Sequence, residues 1–202
     1  MSRVLKLTLA YDGTAYVGWQ RQAEGVSIQG LIEDALTRLD GAPVTVHGAG
    51  RTDAGVHAFG QVASARVMTP RELPVIRRAL NAMLPGDVRV RDVEDAAPDF
   101  HARYSAAGKI YEYRIWQGDV QPPFARAWSW HLPRPLNVAE MDRAARMLEG
   151  RHDFSAFQSA GSAVRSAVRT VTSARVGVRE PGEDVSGGTG AGGQFVIVRI
   201  AA

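Results

Sequence analysis

Cysteine is absent from the 202 residues, which excludes structural disulfides and thiolate zinc sites and fits a reducing compartment. Lysine is almost absent too: of 24 basic residues only Lys6 and Lys109 are lysine, and the other 22 are arginine. No apolar run approaches the roughly 20 residues a membrane helix needs. The first ten residues run straight into an alternating pattern with no signal-peptide core, so the chain is read as cytosolic. The five histidines, His47, His57, His101, His131 and His152, show no ligand spacing such as His-x-x-x-His. Nor does a second carboxylate stand ready for paired acid and base work. These absences weigh against a metal-dependent or two-carboxylate hydrolase.

What is present is an ordinary globular composition, 45% hydrophobic and 22% charged, enough for one large domain or two small ones. Net charge is +3 with a pI near 9.6. Arginine's planar fork pairs with phosphate and stacks on bases, so the arginine bias permits a nucleic-acid partner; biased codon usage would produce it equally well. Between Ala160 and Arg179 the chain carries Arg165, Arg169, Arg175 and Arg179 and no acid, a local basic stripe compatible with phosphate contacts.

One stretch concentrates chemistry: Gly48-Ala-Gly-Arg51-Thr52-Asp53-Ala-Gly55-Val-His57. Its glycines permit positive φ or close approach to a ligand, and loops on rigid scaffolds are where reactive groups are placed. A short strand over 43–46 precedes it and an extended stretch from Phe59 to Val67 follows, so the loop joins two strands. Asp53 is the candidate catalytic carboxylate, with Arg51 and His57 the other charged or titratable groups. The competing reading is a tight turn in which Asp53 bonds a neighbouring backbone N–H and Arg51 is solvated. Arg, Thr, Asp and His within seven residues is more than a turn requires.

In order along the chain, Leu5, Leu7, Leu9 and Tyr11 alternate with polar or small residues as a half-buried strand does. Tyr16 to Gln22 is aromatic and aperiodic, a loop that covers or lines something. Ser27 caps a predicted helix with Ile28, Leu31, Ile32, Ala35 and Leu39 on one face, closed by Gly41. A second helix is predicted over 70–83 with Pro74 in its first turn, then a strand over 88–93. The strand Lys109 to Trp116 points Tyr111, Tyr113 and Ile115 one way and Ile110, Glu112, Arg114 and Trp116 the other. Exposed aromatics on a sheet are how many RNA-binding modules stack bases, although tyrosines are also common strand residues. Asn137 to Glu140 is a capping box for a helix ended by Gly150. Gly182 to Gln194 reads as a hairpin loop before a strand over 195–200. The strand-then-helix order occurs twice, which predicts an α+β chain of two similar RRM-like or ferredoxin-like halves, 1–98 and 99–202. Antiparallel sheets would form a central cleft, with helices on the outer face.

Five dispersed motifs together resemble the bacterial tRNA pseudouridine synthase A family. They are Tyr11-Asp-Gly-Thr-Ala-Tyr-Val-Gly-Trp-Gln-Arg-Gln22, Gly50-Arg-Thr-Asp-Ala-Gly-Val-His57, Asn81-Ala-Met-Leu-Pro-Gly-Asp87, Phe100-His-Ala-Arg-Tyr104 and Lys109-Ile-Tyr-Glu-Tyr113. The resemblance implies a cytoplasmic homodimer that converts uridine to pseudouridine at positions 38, 39 and 40 of the tRNA anticodon arm, with no cofactor or catalytic metal. It implies Asp53 as the catalytic aspartate, Arg51 as the residue associated with base flipping and Tyr111 as the ring that stacks on uracil. Phe100, His101, Ala102, Arg103 and Tyr104, with Gly161, Ser162, Ala163, Val164 and Arg165, correspond to tRNA-contacting stretches. Members of the family continue into a segment with a phenylalanine and a Met-Val-Arg motif, whose arginine pairs with the aspartate. This sequence stops at Ala201-Ala202, so the expectation is a shortened chain. The alternative function is a non-catalytic tRNA-binding or RNA-chaperone protein.

Overall fold

The computed structural model describes residues 2–158, 166–179 and 192–202. The chain divides into two compact units, Met1–Ala107 and Gly108–Ala202.

The first unit runs β1 (Arg3–Tyr11), α1 (Ile28–Asp40), β2 (Val46–Gly48), β3 (Ala58–Val67), α2 (Leu73–Met83), β4 (Val88–Ala96). All pairs in its sheet are antiparallel, in the order β2-β3-β1-β4. A β-α-β-β-α-β chain with that order is ferredoxin-like, each crossover skipping one strand. Alternation on β1 sends Leu5, Leu7 and Leu9 to zero exposure against Ile28, Ile32 and Leu36 of α1 and Ile76 and Leu80 of α2. Each such side chain contributes roughly 1.5–3 kcal/mol by leaving water. Both helices therefore cover one sheet face. Ser27 caps α1 by accepting the Gly30 N–H, and Gly41 ends it at φ 78°. Pro74 occupies the first turn of α2, which begins at Leu73 rather than at 70.

The second unit runs β5 (Ile110–Gln117), β6 (Trp130–Leu132), α3 (Val138–Arg146), β7 (Gly150–Asp153), β8 (Val168–Val171), β9 (Ser173–Arg179), β10 (Gln194–Ala201). Its main sheet has the order β6-β5-β10-β9, and β7 and β8 form a separate pair. The chain is thus α+β as expected, with sheets backed by helices. One detail departs from wholly antiparallel sheets: β5 and β6 are parallel, because the chain crosses back through the 3₁₀ turn Pro123–Ala125 before Trp130. Ile115, Val196, Ala174 and Val176 form a core with Ala145 of α3. Trp116 packs edge-on against Phe195, centroids 4.9 Å apart, in a second small cluster with Ala125.

Further assignments differ from the sequence reading. The strand placed over 43–46 is Val46–Gly48, because Val46 is the first residue in register with β3. The third helix stops at Arg146, with Met147 as its cap, and Gly150, at φ 101°, opens β7 instead of closing the helix. The arginine stripe holds two unforeseen strands, β8 and β9. The glycine-rich segment read as a hairpin loop lies outside the described residues as far as 191. Among the described residues no helix is long and apolar enough to cross a membrane.

Candidate active site

The loop holding Arg51, Thr52 and Asp53 joins β2 to β3, as the sequence predicts, and Arg51 and Asp53 are both exposed. Among the described residues no hydrogen bond or ion pair engages the Asp53 carboxylate. The backbone alone places its Cα, and that backbone is held from several sides. The Asp53 carbonyl accepts the Val56 N–H at 3.1 Å, and Gly55, at φ 80°, closes the turn. The competing reading, a turn bonded by the Asp53 side chain, is not what the loop does.

The segment after β1 lies against this loop. The Trp19 N–H donates to the Thr52 carbonyl at 2.9 Å, and the Gly55 N–H reaches the Tyr16 carbonyl at 3.4 Å. A Cβ on Gly18 would stand 2.5 Å from the Thr52 oxygen, so only glycine permits the approach. The aromatic loop from Tyr16 thus backs the site, with Tyr16 and Trp19 both buried.

Side chains add a second set of ties. The Tyr11 phenol, buried at the end of β1, pairs with the Thr52 hydroxyl at 2.9 Å. Burial pushes the Tyr11 phenol above its ordinary pKa, against the opposing pull of hydrogen bonds from Thr52 and Gln61. Gln61 also donates to the Gly50 carbonyl at 2.7 Å. His57 Nδ1 lies 3.1 Å from Asp12 Oδ1 and 3.2 Å from the Gly13 nitrogen. Burial raises the Asp12 carboxyl, but the Thr14 hydroxyl and amide with His57 outweigh it and leave the pKa lowered. Tyr16 donates to Asp87 at 2.6 Å, and burial followed by that carboxylate raises its pKa.

Phe100, His101, Ala102, Arg103 and Tyr104 cross the first unit's sheet on the side away from the helices, beside β2 and β3. Ala102 is buried and its N–H donates to the buried Ser64 hydroxyl at 3.0 Å, which fixes the segment. The His101 ring stacks on His47 with centroids 4.6 Å apart and lies 4.4 Å from the Tyr104 ring. The Arg103 guanidinium stands 6.0 Å from the Tyr104 centroid, and Tyr104 is 78% exposed. A groove of about 640 Å³ passes His47, Ser64, Arg66, Phe100 and His101. His47 was not singled out beforehand; its position on β2 opposite Ser64 brings it into the stack.

In the second unit, Tyr111 and Tyr113 lie on the face that Ile115 buries further along β5, and at their end that face is open. Tyr111 is 49% exposed and Tyr113 62%. Their β10 partners are Ile200 and Val198, an apolar floor for flat rings. Glu112 and Arg114 pair with each other at 2.9 Å on the opposite face. Gly161, Ser162, Ala163, Val164 and Arg165 lie outside the described residues. The basic stripe expected there is partly spent within the fold: Arg175 pairs with Glu149, and Arg169 donates to the Ser166 and Val168 carbonyls. Among the described residues no cluster of three or more His, Asp or Glu side chains is arranged to hold a metal ion.

Residues 8–105 and 144–197 match the family model described as tRNA pseudouridine synthase. A relative named tRNA pseudouridine synthase A from Syntrophotalea carbinolica is 48% identical over 84% of this chain and 68% of its own length. Relatives of the same name from Moorella thermoacetica and Geobacter sulfurreducens are 50% and 46% identical, over 88% and 86% of this chain and 73% and 71% of theirs. A solved structure of an unknown protein from Galdieria sulphuraria aligns at 13% identity with a TM-score of 0.28, too distant a likeness to bear on the fold. With the family model spanning most of both units, this chain belongs to the tRNA pseudouridine synthase family.

Proposed function

We propose that this chain isomerises uridine to pseudouridine in tRNA, acting at positions 38, 39 and 40 of the anticodon arm, with Asp53 as the catalytic carboxylate. The reaction breaks the C1′–N1 bond, turns the base and joins C1′ to C5. The C5 proton is lost and N1 gains one, so the product is an isomer of the substrate. The site must supply an anionic oxygen toward the sugar or base and must reach a base that has left its stack. An exposed aspartate with no competing partner among the described residues, on a backbone held by Trp19, Tyr16 and Tyr11, meets the first need; this observation carries the proposal. Arg51, two residues away and exposed, is assigned to the space a flipped base vacates. Tyr111 is assigned to stacking on the uracil, for which its half-exposed ring on an apolar floor is suited.

The ring stack of His47, His101 and Tyr104, with Arg103 beside it, supports tRNA contact along residues 100–104. The protein is proposed to act as a cytoplasmic homodimer without a cofactor, its assembly to be read by sedimentation.

The test is tritium release from tRNA labelled at uridine C5, by the parent and by Asp53→Ala at stoichiometric enzyme. The expected result is release by the parent and none by the variant, with tRNA still retained on a filter by both. Equal release by both would remove Asp53 from the chemistry. Retention of tRNA with no release from either would favour a binding protein.

A further inference from the structure

Thr52 and Gly50 flank Arg51, and each is held by a side chain of the paired strands β1 and β3. The Tyr11 phenol pairs with the Thr52 Oγ1 at 2.9 Å, and the Gln61 amide on the neighbouring strand β3 holds the Gly50 carbonyl at 2.7 Å. Tyr11 is 41 residues away in sequence from Thr52 and is itself fixed: 4% exposed, its ring 6.3 Å from that of the buried Trp19. It stands at the end of β1, where the pairing with β3 shifts register between Leu9 and Tyr11. That irregularity changes how a residue at the strand end meets the neighbouring loop. Downstream the backbone is tied through the Asp53 carbonyl, Gly55 and His57, while the Asp53 side chain itself is exposed.

We propose that Tyr11, with Gln61 and Thr52, is a positioning brace for the Arg51–Asp53 segment: the hydroxyl sets where the carboxylate points without touching substrate. The proposal rests on Asp53 being the catalytic group. A neutral phenol suits the role, because it can either donate to the Thr52 hydroxyl or accept from it. A phenol's ordinary pKa of about 10 already keeps it in that form at neutral pH, and burial only raises it further.

Tyr11→Phe keeps the ring and its packing and removes only the hydroxyl. Its single-turnover rate on tRNA is expected to fall by about 10- to 100-fold, with tRNA affinity within about twofold of the parent, because small displacements of a reacting group have effects of that size. Thr52→Ser should retain the rate and Thr52→Val should lose it. The Tyr11→Phe/Thr52→Val pair should be no slower than its worse member, since both remove one contact. Amide exchange read by NMR needs no catalysis: the Trp19 and Val56 N–H groups, which bond the Thr52 and Asp53 carbonyls, should exchange faster in Tyr11→Phe. A parental rate with parental exchange in Tyr11→Phe would overturn the brace. So would a lowered melting midpoint with an unchanged rate for the folded protein. Faster exchange in Tyr11→Phe alongside a fully active Asp53→Ala would keep the brace and discard the catalytic reading.

Discussion

The two units solve one structural problem with different chemistry. In each, a helix lies beside a strand at the edge of the sheet, and side chains of that helix or of the turn after it satisfy backbone groups the sheet leaves open. In the first unit Asn81 of α2 brackets Val90 of β4, accepting its N–H at 2.9 Å and donating to its carbonyl at 2.8 Å. Gln29 and Glu33 of α1 do the same for Val46 of β2. In the second unit both acceptors are carboxylates, whereas in the first Glu33 alone is: Asp142 of α3 accepts the Val176 N–H and Glu149, just past that helix, accepts the Ala174 N–H, both at 2.9 Å. Those acids also pair with Arg146 and Arg175. Unpaired edge N–H groups invite pairing with another chain, so closing them protects the fold. The first unit supports its edges with a core built on two helices, the second with one nine-residue helix and two small clusters. Where apolar packing is thin, charge takes a larger share.

The strongest break of this comparison is in the cores. Leu7 is fully buried between both helices of the first unit, and Leu7→Ala is expected to lower stability by about 2–5 kcal/mol through lost transfer and a cavity. Urea unfolding followed by near-ultraviolet dichroism measures it. A loss below 1 kcal/mol would mean that the first core is as loosely determined as the second. Next in size is Asn81→Ala, which strands the amide and carbonyl of Val90, a residue 2% exposed. An unsatisfied buried donor costs about 1–3 kcal/mol, so the same unfolding experiment should register a smaller shift. A neutral result would show that water replaces the bracket.

Much of the first unit was legible because its signals are local. Ser27 and Gly41 mark the ends of α1, and the alternation of Leu5, Leu7 and Leu9 marks β1. The site loop was legible from its glycines and the strands on either side. What was not legible depends on partners distant in sequence. The strand β2 is three residues long, and its start at Val46 is fixed by Gln29 and Glu33 of α1. The strand β9 was hidden by its arginines, although Ala174 and Val176 alternate inward as strand residues do. Gly150 carried a helix-stop signal and in fact opens a strand, because a positive-φ glycine serves either purpose. The contact of Tyr11 with Thr52 exists only once β1 and β3 have paired, so no spacing within the sequence announces it.

The smallest expected effect separates the two kinds of edge closure by pH. The Glu149 carboxyl is held below its ordinary pKa first by the Ala174 amide and then by Arg175; the Asp142 carboxyl is held down first by the Val176 amide and then by Arg146. A carboxyl whose folded pKa is depressed stabilises the fold fully above its unfolded value, and that contribution is lost as pH falls through the folded value. The second unit's edge should therefore loosen as pH drops below about 4, while the Asn81 bracket, which does not titrate, should hold. Amide exchange read by NMR across this range is expected to speed up at Ala174 and Val176 beyond the chemical trend, with Val90 following the trend alone. In Glu149→Gln the side-chain oxygen still accepts the Ala174 amide but cannot be protonated at these pH values, so the acid sensitivity at Ala174 should vanish and that at Val176 should remain. Equal acid sensitivity at Val90 and Ala174 would mean that the units loosen as a whole and that the chemistry of the edge is immaterial.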